Sequence, residues 1–169
     1  MSAARVGGLA AIAGGMLRIA NAFLGGMPQS VLAALYMITD GLLLAGVAGL
    51  WLTRRVQIGV AGTLGLSVFV AGILTVRASA FGIGSYRLGA AVALIGLAVY
   101  STDVLWRRYA PHWAPVFWLT SLPPAITAML GISPFAMSAL AAALFGAGFI
   151  FAGLELLRAS YADSVAARA

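Results

Sequence analysis

The chain has 169 residues, 63% of them hydrophobic and only 8% charged, with a mean hydropathy of +1.05 and a formal net charge of +6. A soluble domain of this size does not have that composition, and nothing outside the apolar runs is long enough to fold separately. The expected fold is therefore all-α: one integral membrane bundle of six transmembrane helices, residues 1–169, with no nucleic-acid partner despite the positive charge.

Two absent residue types narrow the chemistry. Without Cys there is no disulfide, thiolate metal site or Cys nucleophile. Without Lys there is no Schiff base to retinal or pyridoxal and no Walker P-loop. Basic usage restricted to Arg, with abundant Ala and Gly, suggests a GC-rich bacterial genome.

The first span is expected at about residues 6–23. Arg5, an apolar run and Ala20-Asn21-Ala22 imitate a signal peptide, but Arg18 just before that site argues against cleavage. Ala11-x-x-x-Gly15 and Ala10-x-x-x-Gly14 offer small faces for a neighbouring helix. The second span, about 31–52, carries Asp40 as its only charge and closes at Thr53-Arg54-Arg55. The third, about 58–76, sets Gly59, Gly62 and Gly65 on roughly one face, a packing surface. Arg77 to Arg87 then reads as a loop, with both arginines expected at lipid headgroups or, alternatively, recruiting an anionic ligand. Its Gly-x-Gly follows no strand and is no nucleotide fingerprint.

The fourth span, about 88–106, ends with Asp103 four residues before Arg107, the favoured order for an ion pair along one helix. The next loop mixes Tyr109, His112 and Trp113 with arginines, an interfacial belt. His112 has no second ligand nearby, so no metal is assigned to it, and no cofactor is expected. The fifth span, about 113–130, holds Thr120-Ser121-Leu122-Pro123-Pro124 in its middle. Consecutive prolines remove backbone donors and kink a helix. Thr120 and Ser121 either satisfy the freed carbonyls or, with Pro123 and Pro124, wall a polar cavity. The sixth span, about 136–157, repeats small residues in Ala142-x-x-x-Gly146 and Gly148-x-x-x-Ala152, with Glu155 and Arg158 one turn apart near its end.

The pair Arg18 and Asp40 stands out. Arg18 lies thirteen residues past Arg5, and Asp40 fourteen before Arg54. At about 1.5 Å per residue both sit roughly 20 Å from the same membrane face. Either charge alone at a helix centre costs about 2.5–3.5 kcal/mol. Adjacent antiparallel helices joined by Gly25 to Ser30 would let the two offset that cost. Asn21 and Tyr36, each one turn from a member of the pair, extend it into polar stripes. The pair reads as a structural ion pair or as a ligand, ion or proton site, the remaining alternative being that the two do not meet.

Seven arginines (Arg5, Arg54, Arg55, Arg107, Arg108, Arg158 and Arg168) fall on one side, and Arg77 and Arg87 on the other. The positive-inside rule then places both termini in the cytoplasm, in a plasma (inner) membrane. No nucleophile–base–orienter set is present. The first function class is an accessory or scaffold protein whose Gly/Ala faces pack against itself or a larger membrane complex. The second is a small transport or ligand-binding subunit built on Arg18 and Asp40. In helix number, length and terminus placement the chain resembles the substrate-binding subunits of energy-coupling-factor vitamin transporters. Against their Ala-x-x-x-Ala docking motif stands Ala10-x-x-x-Gly14. The third class is a membrane enzyme acting on a lipid or isoprenoid, with Asp40 as acid.

Overall fold

The computed structural model describes residues 2–24, 26–108 and 113–166, the last four by backbone only. Gly25, Tyr109, His112 and Arg168, which figure in the sequence reading, lie outside the described residues. The described chain forms α1 (Ala3–Asn21), α2 (Gln29–Arg54), α3 (Val60–Ser79), α4 (Tyr86–Trp106), α5 (Trp113–Thr120), α6 (Leu122–Met129) and α7 (Pro134–Ala166), with no strand among the described residues. Five of these, α1 to α4 and α7, are long and apolar enough to cross a membrane.

Burial explains why a chain this apolar holds together. Large apolar side chains such as Val6, Leu64, Leu74, Ile95 and Leu140 point outward, where an aqueous protein would put polar groups. The interior is instead lined by Leu43, Leu50, Leu66, Leu97, Phe69, Trp118 and Phe149. Lipid is as apolar as leucine, so helix association depends on close packing rather than on hydrophobic exclusion. Glycine supplies it. A Cβ added at Gly7 of α1 would lie 2.6 Å from the Gly49 Cα of α2. One added at Gly15 would lie 2.5 Å from the Gly146 carbonyl oxygen of α7. Gly59, which caps α3, meets Arg107 at the end of α4, and Gly62 and Gly65 of α3 face Asp103 and Tyr100 of α4. The small faces read from the sequence are therefore spent on contacts within the chain.

These contacts sort the helices. α1 packs along both α2 and α7, and α3 packs along α4, while α2 and α3 touch sparsely. Ser2 caps α1 by accepting from the Arg5 N–H and meets the Ser160 hydroxyl of α7 at 2.8 Å. At that same end, Arg54 of α2 reaches Glu155 of α7 at 3.2 Å. Asp103 takes the Arg107 Nε at 3.0 Å and the Gly59 backbone N–H at 3.0 Å. The i,i+4 pair expected in the fourth span is present. Glu155 pairs across helices, with Arg54, rather than with Arg158 one turn away.

The fifth predicted span is interrupted at Ser121 into α5 and α6. α5 stops at Thr120 and α6 begins at Leu122, with Ser121 between them in helical conformation. Pro123 and Pro124 occupy the first turn of α6, where a backbone donor has no intrahelical partner to lose. The hydroxyls bond earlier carbonyls than those the prolines free. Thr120 donates to the Phe117 oxygen at 3.0 Å and Ser121 to the Trp118 oxygen at 2.7 Å. The carbonyls opposite the missing proline donors belong to Leu119 and Thr120.

Candidate functional site

The break between α5 and α6, the sparse α2–α3 seam and the first turns of α7 leave a cavity of about 530 Å³. Every helix but α5 contributes to its wall. Arg18 comes from α1, Tyr36, Asp40 and Leu43 from α2, and Ile73, Val76 and Arg77 from α3. α4 adds Tyr86, Arg87 and Ala90, α6 adds Ala125 and Met129, and α7 adds Ser138 and Phe145. At about 1.5 Å per residue, Arg18, Asp40 and Arg77 lie roughly 20–25 Å from the end carrying Arg54. The cavity thus occupies the opposite half of the bundle. Tyr86, Arg87 and Ser138 are exposed at its rim. A smaller hollow of about 220 Å³ adjoins it and shares Arg18, Tyr36, Tyr86 and Ser138 as walls.

Asp40 does find an arginine, but the wrong one for the sequence reading. Its Oδ2 lies 2.7 Å from the Nε of Arg77, and no ion pair joins it to Arg18 among the described residues. The physical reason is a helix end. α3 runs to Ser79, so Arg77 sits in its last turn, inside the bundle and level with Asp40, not in a loop at the headgroups. A cation in the last turn also suits the helix dipole. The Arg77–Asp40 contact is a close ion pair between α3 and α2.

Arg18 is held differently. Its guanidinium carbon sits 5.9 Å from the centroid of Tyr36 and 5.9 Å from that of Phe145. Ring faces attract a cation without neutralising it. Arg18 is also close enough to attract Asp40 through space. Asn21 does not join the cavity's main wall. Its Nδ2 donates to the Thr39 hydroxyl at 3.0 Å, and Thr39 donates on to the Leu35 carbonyl at 2.7 Å. This buried chain ties α1 to α2 beside Asp40, and Asn21 also lines the smaller hollow.

Of the four residues proposed to wall a cavity from the fifth span, only Ser121 does so. Thr120 and Pro123 are exposed and Pro124 is buried away from the cavity. Arg87, expected at the headgroups with Arg77, is exposed and also lines the cavity. It occupies the first turn of α4, which has no acidic residue, and there the helix dipole disfavours a cation. Sequence reasoning singled out Arg77 and Arg87, but as loop residues, and missed Tyr86, Ser138 and Phe145. The available signal was the register of α3: one further turn past residue 76 carries Arg77 inward.

Charge is the distinctive property of this site. Three guanidinium groups line it against one carboxylate among the described residues. Neither Arg18 nor Arg87 has a carboxylate partner there. Such a wall can bind, orient and screen a charged guest. The hydroxyls of Tyr36, Tyr86, Ser121 and Ser138 add neutral donors and acceptors. No family model matches this chain, and neither a curated protein nor a solved structure matches it.

Proposed function

We propose that this is a six-span inner-membrane protein that binds a small molecule in a cavity open to the external face, as a transport or ligand-binding subunit. The observation that carries this reading is the cavity itself. It is roughly the size of small-molecule sites in general, mostly apolar, with a few convergent polar groups. Charged groups inside a membrane bundle are costly and concentrate where ligands or ions pass. The scaffold reading drew on Gly/Ala faces, and those faces are occupied by neighbouring helices of the same chain.

The membrane topology belongs to the same proposal. α5 and α6 are too short to span singly, but their 8 residues each add up to about 25 Å, and together they serve as the fifth of the six spans. The arginine bias supports cytoplasmic termini and an external cavity mouth.

Because the chain has no cysteine, single cysteines report without background. Ser138→Cys at the cavity rim and Val56→Cys in the α2–α3 connection should be treated in intact cells with a membrane-impermeant maleimide. Ser138→Cys is expected to label and Val56→Cys to label only after lysis. The reverse pattern would invert the topology, and labelling of neither in lysed cells would remove the accessible cavity.

A further inference from the structure

Resting on that reading, we infer that the cavity's ligand is an amphipathic dianion: a compact oxyanion head, of the phosphate monoester type, carried on an apolar body. Arg18, Arg77 and Arg87 against Asp40 leave two positive charges uncompensated among the described residues. In a low-dielectric setting an uncompensated charge is costly, and a guest of opposite charge relieves that cost. Guanidinium groups present planar donor forks that match phosphate and carboxylate oxygens.

The arrangement fits a guest rather than an internal network. Arg18 is fixed by two ring faces, which hold its direction while leaving its donors free. Arg87 stands at the positive end of the α4 dipole, where its own placement is unfavourable, so the mouth carries two superimposed positive contributions. Arg77 meets Asp40 through its Nε, and a guanidinium carries further N–H donors that an incoming oxyanion can share. The rest of the wall is largely hydrocarbon, with Leu43, Ile73, Ala90, Leu94, Ala125 and Met129. A bare inorganic anion would leave that surface without a partner; a neutral apolar guest would leave the arginines without one. A head and a body together satisfy both.

The test uses purified full-length protein in dodecyl maltoside, followed by thermal unfolding with added probes. Hexyl phosphate is expected to raise the melting temperature in a saturable way. Hexanol, hexyltrimethylammonium and inorganic phosphate are expected to do so at least tenfold more weakly in concentration. Arg87→Gln, at the exposed rim and therefore benign to folding, and Arg18→Gln should each weaken the hexyl phosphate response about tenfold, the scale of one charge-assisted hydrogen bond. Nanodiscs containing phosphatidic acid rather than phosphatidylcholine separate the two sources of such a head. Stabilisation there identifies a membrane lipid, and stabilisation by hexyl phosphate alone a soluble organophosphate.

Equal responses to hexanol or to inorganic phosphate, or unchanged hexyl phosphate binding in both arginine variants, would overturn the ligand class. If a neutral or cationic probe binds instead and Ala90→Phe abolishes its effect, the cavity remains a binding site with a different guest. If no probe binds and Ser138→Cys is unreactive, both readings fail.

Discussion

At the arginine-rich end of the bundle each buried or half-buried acid has its own cation. Glu155 takes Arg54, and Asp103 takes Arg107 together with the Gly59 backbone N–H. In the cavity at the other end, one carboxylate faces three guanidinium groups, and two of those rest on aromatic faces or at the rim. Both regions use the same residue types in the same apolar chain. In the first the acids are paired and closed in, and the surplus arginines, Arg5, Arg55, Arg108 and Arg158, are exposed to solvent. The second is unbalanced and open, which is what a binding site needs and what structure alone would avoid. Natural proteins concentrate such locally unfavourable choices at functional sites.

The largest effect should come from breaking the closed end. Arg54→Leu leaves Glu155, only 8% exposed, without its partner. Losses from removing one member of a buried pair run about 3–5 kcal/mol. The low end is expected here, near the interface, as a clear fall in melting temperature in detergent. Hexyl phosphate should still stabilise this variant, because Arg54 does not touch the cavity.

A smaller loss, about 2 kcal/mol, is expected for Asp40→Leu, since Arg77 then faces a cavity that admits water rather than hydrocarbon. The double change Asp40→Leu with Arg77→Leu should recover most of it. Asp40→Leu with Arg18→Leu should recover little. A double-mutant cycle on thermal unfolding reads this difference directly. Recovery with Arg18 instead would restore the pairing that the sequence first suggested.

That contrast also shows what the sequence carried. The helical architecture was legible because runs of about twenty apolar residues have few other solutions. Depth counting placed Arg18 and Asp40 at one level of the bundle, and both do line one cavity. It could not choose Asp40's partner, because a single turn at the end of α3 decides whether Arg77 lies in a loop or points inward. A positive residue at an apolar boundary looks like a topology signal in either case. The double proline marked an irregularity correctly in position. Whether it produced a kink or two helices depended on Ser121 and on what packs against it.

A weaker perturbation sharpens the role of that junction. Replacing both Pro123 and Pro124 with Ala allows α5 and α6 to join, shifting Ser121 and Ala125 relative to the cavity. Global stability should change by less than about 1 kcal/mol, since alanine is a good helix former. The hexyl phosphate response should fall by more than the stability does. Measuring both on one preparation separates the two effects.

The most direct measurement sets the two regions against each other by the sign of a stability change. Arg54→Met is compared with the double variant Arg18→Met and Arg87→Met, by thermal unfolding in the same detergent without added ligand. If the cavity holds surplus positive charge, the double variant loses like-charge repulsion and keeps its apolar stems in place. Its melting temperature should be unchanged or higher, while that of Arg54→Met should be lower. A fall in the double variant as large as that of Arg54→Met would mean that Arg18 and Arg87 are structural cations, and the account of the cavity as a site built for an anion would be contradicted.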